Sequence, residues 1–161
     1  MKSLNGCIAE YKKQIEKGDI KTAYRGLMEF MLYLKNHLAS KHPGYQVSGG
    51  LYFGYMDMTY FSITPEALSE KKLKIALVFL HDSIRFEAWL AGANKQIQLE
   101  YWKLFSASGW DKHSVPADLK GRDSIVETVL VEQPDFDDLE TLTRQIDQGL
   151  QLFAKDLIDF F

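Results

Sequence analysis

The sequence holds a single cysteine, Cys7, among 161 residues. One cysteine excludes an intramolecular disulfide and any cysteine-rich zinc site, and it fits a reducing cytoplasm. Long hydrophobic runs are also missing. The longest clean apolar stretch, Ile75–Leu80, falls far short of the roughly 20 residues that span a bilayer. The first residues lack the apolar core of a signal peptide. No metal-ligand spacing, phosphate-binding glycine loop, nucleophile elbow or cofactor fingerprint occurs anywhere. The expectation is a cytoplasmic protein with no membrane contact, no cofactor and no metal.

A concentrated positive face is absent too. Residues 1–45 carry eight Lys/Arg against four Asp/Glu, residues 46–123 nine of each, and residues 124–161 two against nine. Nucleic-acid binding needs clustered positive charge, so this distribution argues against it. Basic N-terminal helices and an acidic last helix read most simply as solvated faces.

What is present suits one domain over 1–161, long enough to bury a core. Two helices open the chain. Ile8, Tyr11 and Ile15 recur at helical spacing, and Gly18 supplies the stop. Asp19 caps a second helix whose apolar stripe is Ile20, Ala23, Tyr24, Leu27, Met31, Leu34 and Leu38. That helix ends near Lys41, because Pro43 disfavours helical geometry in the residue before it. The short link makes the two a hairpin.

Three strand signals follow. After a loop from Pro43 to Gly50, aromatic and apolar residues on both faces predict a long strand over 51–63. Thr64 and Pro65 read as the start of a short helix. Leu73–Leu80 is apolar on both faces and predicts a central strand. His81, Asp82 and Ser83 form a turn into a strand over 84–91, which makes the pair a β-hairpin. Asn94 caps a helix to about Ser106, with Ile97, Tyr101, Leu104 and Phe105 inward. Residues 107–123 lack periodicity, and Trp110 points to a loop pinned to the body. A fourth strand over 124–132 ends before Pro134. Asp135, Asp137 and Asp138 favour the start of a last helix, which buries Leu139, Leu142, Ile146, Leu150, Phe153, Leu157 and Phe160. The sum is an α+β domain: a helical hairpin, then a four-stranded, mainly antiparallel sheet with helices packed on it.

Chemistry-bearing residues concentrate in the strand over 84–91. Arg85, Glu87 and Trp89 alternate away from Ile84, Phe86, Ala88 and Leu90, so they share a face. With Asp57, if it lies on that face, they form a set of two carboxylates, one guanidinium and an indole. Arg beside a flat ring suits recognition of a carboxylate or phosphate. Paired carboxylates also do acid–base work. The plainer alternative is an ordinary half-exposed strand in which Arg85 pairs with Glu87. Asp57 lies among Tyr55, Met56, Met58 and Tyr60, where a carboxylate has to be hydrogen-bonded, paired or exposed. The four histidines are scattered, and the spacing of His37 and His42 puts them on no common helix face. Trp102 either covers the sheet or anchors a partner.

Several stretches carry a family resemblance. They are Gly49-Gly50-Leu51-Tyr52-Phe53-Gly54-Tyr55-Met56-Asp57, Leu73-Lys74-Ile75-Ala76, Ile84-Arg85-Phe86-Glu87-Ala88-Trp89-Leu90, Tyr101-Trp102 and Pro134-Asp135-Phe136-Asp137. Over most of the chain the sequence resembles a family of small bacterial proteins grouped as a domain of unknown function. The resemblance implies a bacterial, cytosolic, single-domain protein. It implies no activity, cofactor or catalytic residue.

The functional expectation is a non-enzymatic binding module for a small anionic ligand or a protein partner, with Tyr55, Asp57, Arg85, Glu87 and Trp89 as the site. The alternative is an enzyme on a small substrate, with Asp57 or Glu87 as general base and Arg85 as the anion anchor. The apolar end of the last helix, or an aromatic sheet edge, is expected to form a homodimer.

Overall fold

The structure is a computed structural model and describes residues 1–161. Its contacts divide the chain into two compact units, Met1–Leu34 and Lys35–Phe161.

The first unit is helical. In α1 (Leu4–Lys17), Ser3 Oγ accepts the Gly6 N–H at 3.1 Å, and Gly18 ends the helix at φ +91°. The expected stripe forms, but Ile8 and Tyr11 stay more than half exposed and no residue of α1 is buried. On α2 (Asp19–Lys41), Ile20 and Tyr24 are exposed, whereas Phe30, Met31, Leu34 and Leu38 are buried. The last turns of α2, from Lys35, belong to the second unit.

The second unit is an α+β fold. Its strands are β1 (Tyr45–Val47), β2 (Met58–Pro65), β3 (Leu73–Leu80), β4 (Arg85–Gly92) and β5 (Ser124–Val131). Its helices are α3 (Glu66–Ser69), α4 (Lys95–Ser108) and α5 (Leu139–Phe160). The strands lie in sequence order, and every neighbouring pair is antiparallel. Central β3 is buried except at Lys74 and its last residue. It pairs with β4 over its full length as the expected hairpin. The short turn between them allows no crossover.

One sheet face carries Phe61, Ile63, Ile75, Leu77, Phe79, Phe86, Ala88 and Leu90, all buried. Phe136, just before α5, touches Phe79 and Phe86, so α5 lies on this face. It buries Leu142, Ile146, Leu150, Phe153 and Leu157. The stripe's first residue, Leu139, is exposed, as is Leu104 in α4. Buried Phe105 of α4 stacks on Phe160 at 4.1 Å, which joins the two helices.

The sheet has five strands, one more than expected. The stretch over 43–50 contains β1, which pairs with Ile63–Pro65. The long strand expected over 51–63 is also corrected. Only Met58 onward is strand. Tyr52 instead folds back to bridge Tyr60 through two backbone hydrogen bonds, around left-handed Gly54 (φ +78°) and Met56 (φ +65°). A Cβ on Gly54 would sit 1.9 Å from the Met58 carbonyl oxygen, so only glycine fits there. Thr64 caps no helix. Its hydroxyl accepts the Ile75 N–H, and Pro65 remains extended before α3. Ile84 lies in the β3–β4 turn at φ +50°, outside β4, and is exposed where Phe86, Ala88 and Leu90 are buried.

Candidate functional site

Strand alternation places Arg85, Glu87 and Trp89 on the face opposite α5. They are joined in a chain. Arg85 Nε donates to Glu87 Oε2 at 2.6 Å, and Trp89 Nε1 donates to Glu87 Oε1 at 2.8 Å. Glu87 is 3% exposed, with both carboxylate oxygens occupied. Arg85 also reaches Glu132 at 3.5 Å. The Glu87 hydrogen bond holds the Arg85 pKa above its ordinary value. This group is a structural clamp: it neutralises a buried carboxylate and fixes the plane of the indole.

Asp57 and Tyr55 lie elsewhere. Tyr55 is 90% exposed in the 51–57 turn. Asp57 Oδ1 accepts the Tyr55 N–H at 2.8 Å, so its carboxylate serves the turn. Hydrogen bonds from the Tyr55 and Met58 backbone, in that order, hold its pKa below the usual carboxylate value. The turn is tied further by Thr59, whose hydroxyl donates to the Phe53 carbonyl at 2.7 Å and accepts from His81 Nε2 at 2.9 Å. Asp57 therefore does not join the Arg85–Glu87–Trp89 set: in the observed register Met58, Tyr60 and Ser62 share that face, so alternation would put Asp57 on the other one.

Trp89 also lines a cleft of about 360 Å³ on this face. Register explains its composition. Ser62 pairs with Ala76 and Ala76 with Trp89, while Lys74 pairs with Ala91. Small residues thus form the floor beside the indole. Met58 and Tyr60 bound one side, and the start of α4 the other. Gly92 allows the close approach of α4, since a Cβ there would lie 2.6 Å from the Gln98 N–H nitrogen. Gln98, buried, donates Nε2 to the Arg122 and Ser124 carbonyls. Lys95 is paired with Asp123 at 2.9 Å, whereas Lys74 has no carboxylate partner. The charged lining residues, Lys74, Lys95 and Asp123, sum to one positive charge.

Of the expected site residues, only Trp89 lines this cleft. Lys74, Tyr60, Ser62 and Gln98 line it as well and are not among the expected site residues. Lys74 is the only charged residue in β3, and that was the available signal.

Two other polar clusters hold elements in place. Asp147 of α5 accepts from Lys41 Nζ, from His42 Nε2 at 2.8 Å and from Gln151 Nε2 at 3.0 Å. Its side chain is 2% exposed. His113 binds Thr128 Oγ1 at 2.9 Å and Asp156 Oδ2 at 2.8 Å, and its ring lies edge-on to Phe153. Together with Trp102 Nε1 donating to the Pro116 carbonyl, and Trp110 against Phe105 and Phe160, it pins the 109–123 loop.

These features define an α+β protein with a five-stranded antiparallel sheet and a polar-rimmed cleft on one sheet face. The chain belongs to the family described as Domain of unknown function (DUF7000), which matches residues 4–161. No curated protein and no solved structure matches it. No helix is long and apolar enough to cross a membrane.

Proposed function

We propose that the protein is a non-enzymatic binding module that takes a small anionic ligand in the sheet-face cleft. The carrying observation is Lys74: an exposed ammonium without a carboxylate partner, on the rim of a concave cleft that also holds an indole. Clefts of this size, partly apolar with a few convergent polar groups, suit small ligands. Binding is favoured over acid–base chemistry because the two carboxylates expected to act as bases are engaged. Glu87 is held by Arg85 and Trp89, and Asp57 by backbone N–H groups. Arg85 acts here through Trp89, not on the ligand.

Amide chemical-shift mapping during titration with propionate and then phosphate tests this. Perturbations should cluster at Lys74, Ala91–Lys95 and the Trp89 indole. Shifts absent from these groups, or scattered over the surface, would overturn the proposal.

A protein partner is favoured by one separate observation. The 51–57 turn exposes Tyr52, Phe53, Tyr55 and Met56 on a backbone fixed by Asp57 and Thr59, and rigid exposed aromatics are common anchors. A bacterial, cytoplasmic setting and a two-fold homodimer complete the proposal. A monomer mass by light scattering at high micromolar concentration would remove the dimer.

A further inference from the structure

The floor of the cleft separates two features by a fixed step. Trp89 stands opposite Ala76 in the neighbouring strand, and Lys74 lies two residues before Ala76 on the same face. Diagonal neighbours of this kind are roughly 7–8 Å apart. The indole cannot turn freely, because Nε1 donates to buried Glu87, itself held by Arg85. With its N–H occupied, what Trp89 offers a ligand is its ring surface. Beside it Ala76, Ala91 and Gly92 leave room that larger side chains would fill. Tyr60, its ring tilted against that of Tyr52 with centroids 4.9 Å apart, closes the far side.

Building on the small-anion proposal above, we infer that the ligand class is an aromatic acid: a flat ring on Trp89 and a carboxylate or similar acid at Lys74. Offset ring stacking adds to area burial. A saturated ring of the same size would lack that contribution. The Arg85–Glu87 pair is a positioning device in this scheme, since it sets the indole plane without touching the ligand.

Three matched probes test the class on the intact chain: 2-naphthoate, its saturated counterpart decahydro-2-naphthoate, and neutral 2-naphthamide. Affinity is read by calorimetry and location by amide and indole shifts. The naphthoate should bind in the cleft roughly three- to tenfold more tightly than the saturated acid. It should also bind several-fold more tightly than the amide, with an upfield ring-current shift on its own protons. Equal binding of the two acids, or an amide as strong as the naphthoate, would overturn the aromatic-acid class while leaving the cleft as a binding site. If the naphthoate fails where propionate and phosphate bind, the class also falls. Should no acid of any kind perturb Trp89 or Ala91–Lys95, the class and the small-anion proposal fall together.

Discussion

The Arg85 guanidinium and the Glu87 carboxylate meet at 2.6 Å, with Glu87 almost wholly buried and Arg85 about one-third exposed. A carboxylate in that position depends on its cation, because removing one partner leaves an uncompensated buried charge. Arg85→Ala should therefore lower the unfolding free energy by about 1–3 kcal/mol, less than for a fully buried pair because Arg85 keeps contact with water. Adding Glu87→Gln should recover part of that loss, since a neutral amide needs no cation. Urea denaturation of the single and double variants checks both steps. A stability for Arg85→Ala within about 0.5 kcal/mol of the parent would show that the pair contributes little.

Asp147 gives a pH prediction with a definite sign. Burial pushes its pKa up, but hydrogen bonds from Lys41, His42 and Gln151 outweigh that and leave it lowered from 3.8. A carboxylate with a lowered folded pKa stabilises the fold above its unfolded value, and that contribution is lost as pH falls through the folded one. Stability should therefore drop below about pH 4. Asp147→Asn should be less stable near neutrality, by about 2–4 kcal/mol, with a flatter profile in acid. Urea midpoints from pH 2 to 7 test this, and parallel profiles for the two proteins would contradict it.

His81 behaves in the same sense for a different reason. Burial lowers its pKa below 6.5, against the opposing pull of Asp57 and Asp82. The folded state thus prefers the neutral ring. The stability it contributes is present above about pH 6.5 and is lost as pH falls toward the folded value. An NMR titration of the ring protons should give a midpoint below 6.5 in the folded protein. A midpoint at or above that of a model peptide would be the contrary result.

The 51–57 turn rests on Gly54. Gly54→Ala combines a positive φ with a clash against the Met58 carbonyl, so it should destabilise by more than about 1 kcal/mol. It should also release the Tyr52–Tyr60 bridge. Hydrogen exchange at the Tyr52 and Tyr60 amides reports that release directly, and unchanged protection in Gly54→Ala would refute it.

The β3–β4 hairpin was legible because its signals agree. Leu73–Leu80 is apolar on both faces, the turn is short, and Arg85, Glu87 and Trp89 alternate cleanly. The 51–63 stretch misled because aromatic alternation continues through Tyr55 and Met56, although the left-handed Gly54 and Met56 reverse the chain. Nothing in residue type marks Met56 for positive φ. The three-residue β1 is too short to show a period. Lys74 was visible as a lone charge in an apolar strand, but its nearness to Trp89 depends on a register that only pairing defines. The Asp147 clamp joins residues more than a hundred positions apart, so spacing along the chain carries no trace of it.

The central claim, an anion held at Lys74 beside Trp89, is tested most directly by reversing that one charge. Lys74 is exposed and forms no ion pair, so Lys74→Glu should leave the melting temperature nearly unchanged. The affinity for 2-naphthoate, measured by calorimetry on both proteins, should fall by about tenfold or more as attraction becomes repulsion. Equal affinities in the parent and in Lys74→Glu, with both proteins folded, would contradict the account.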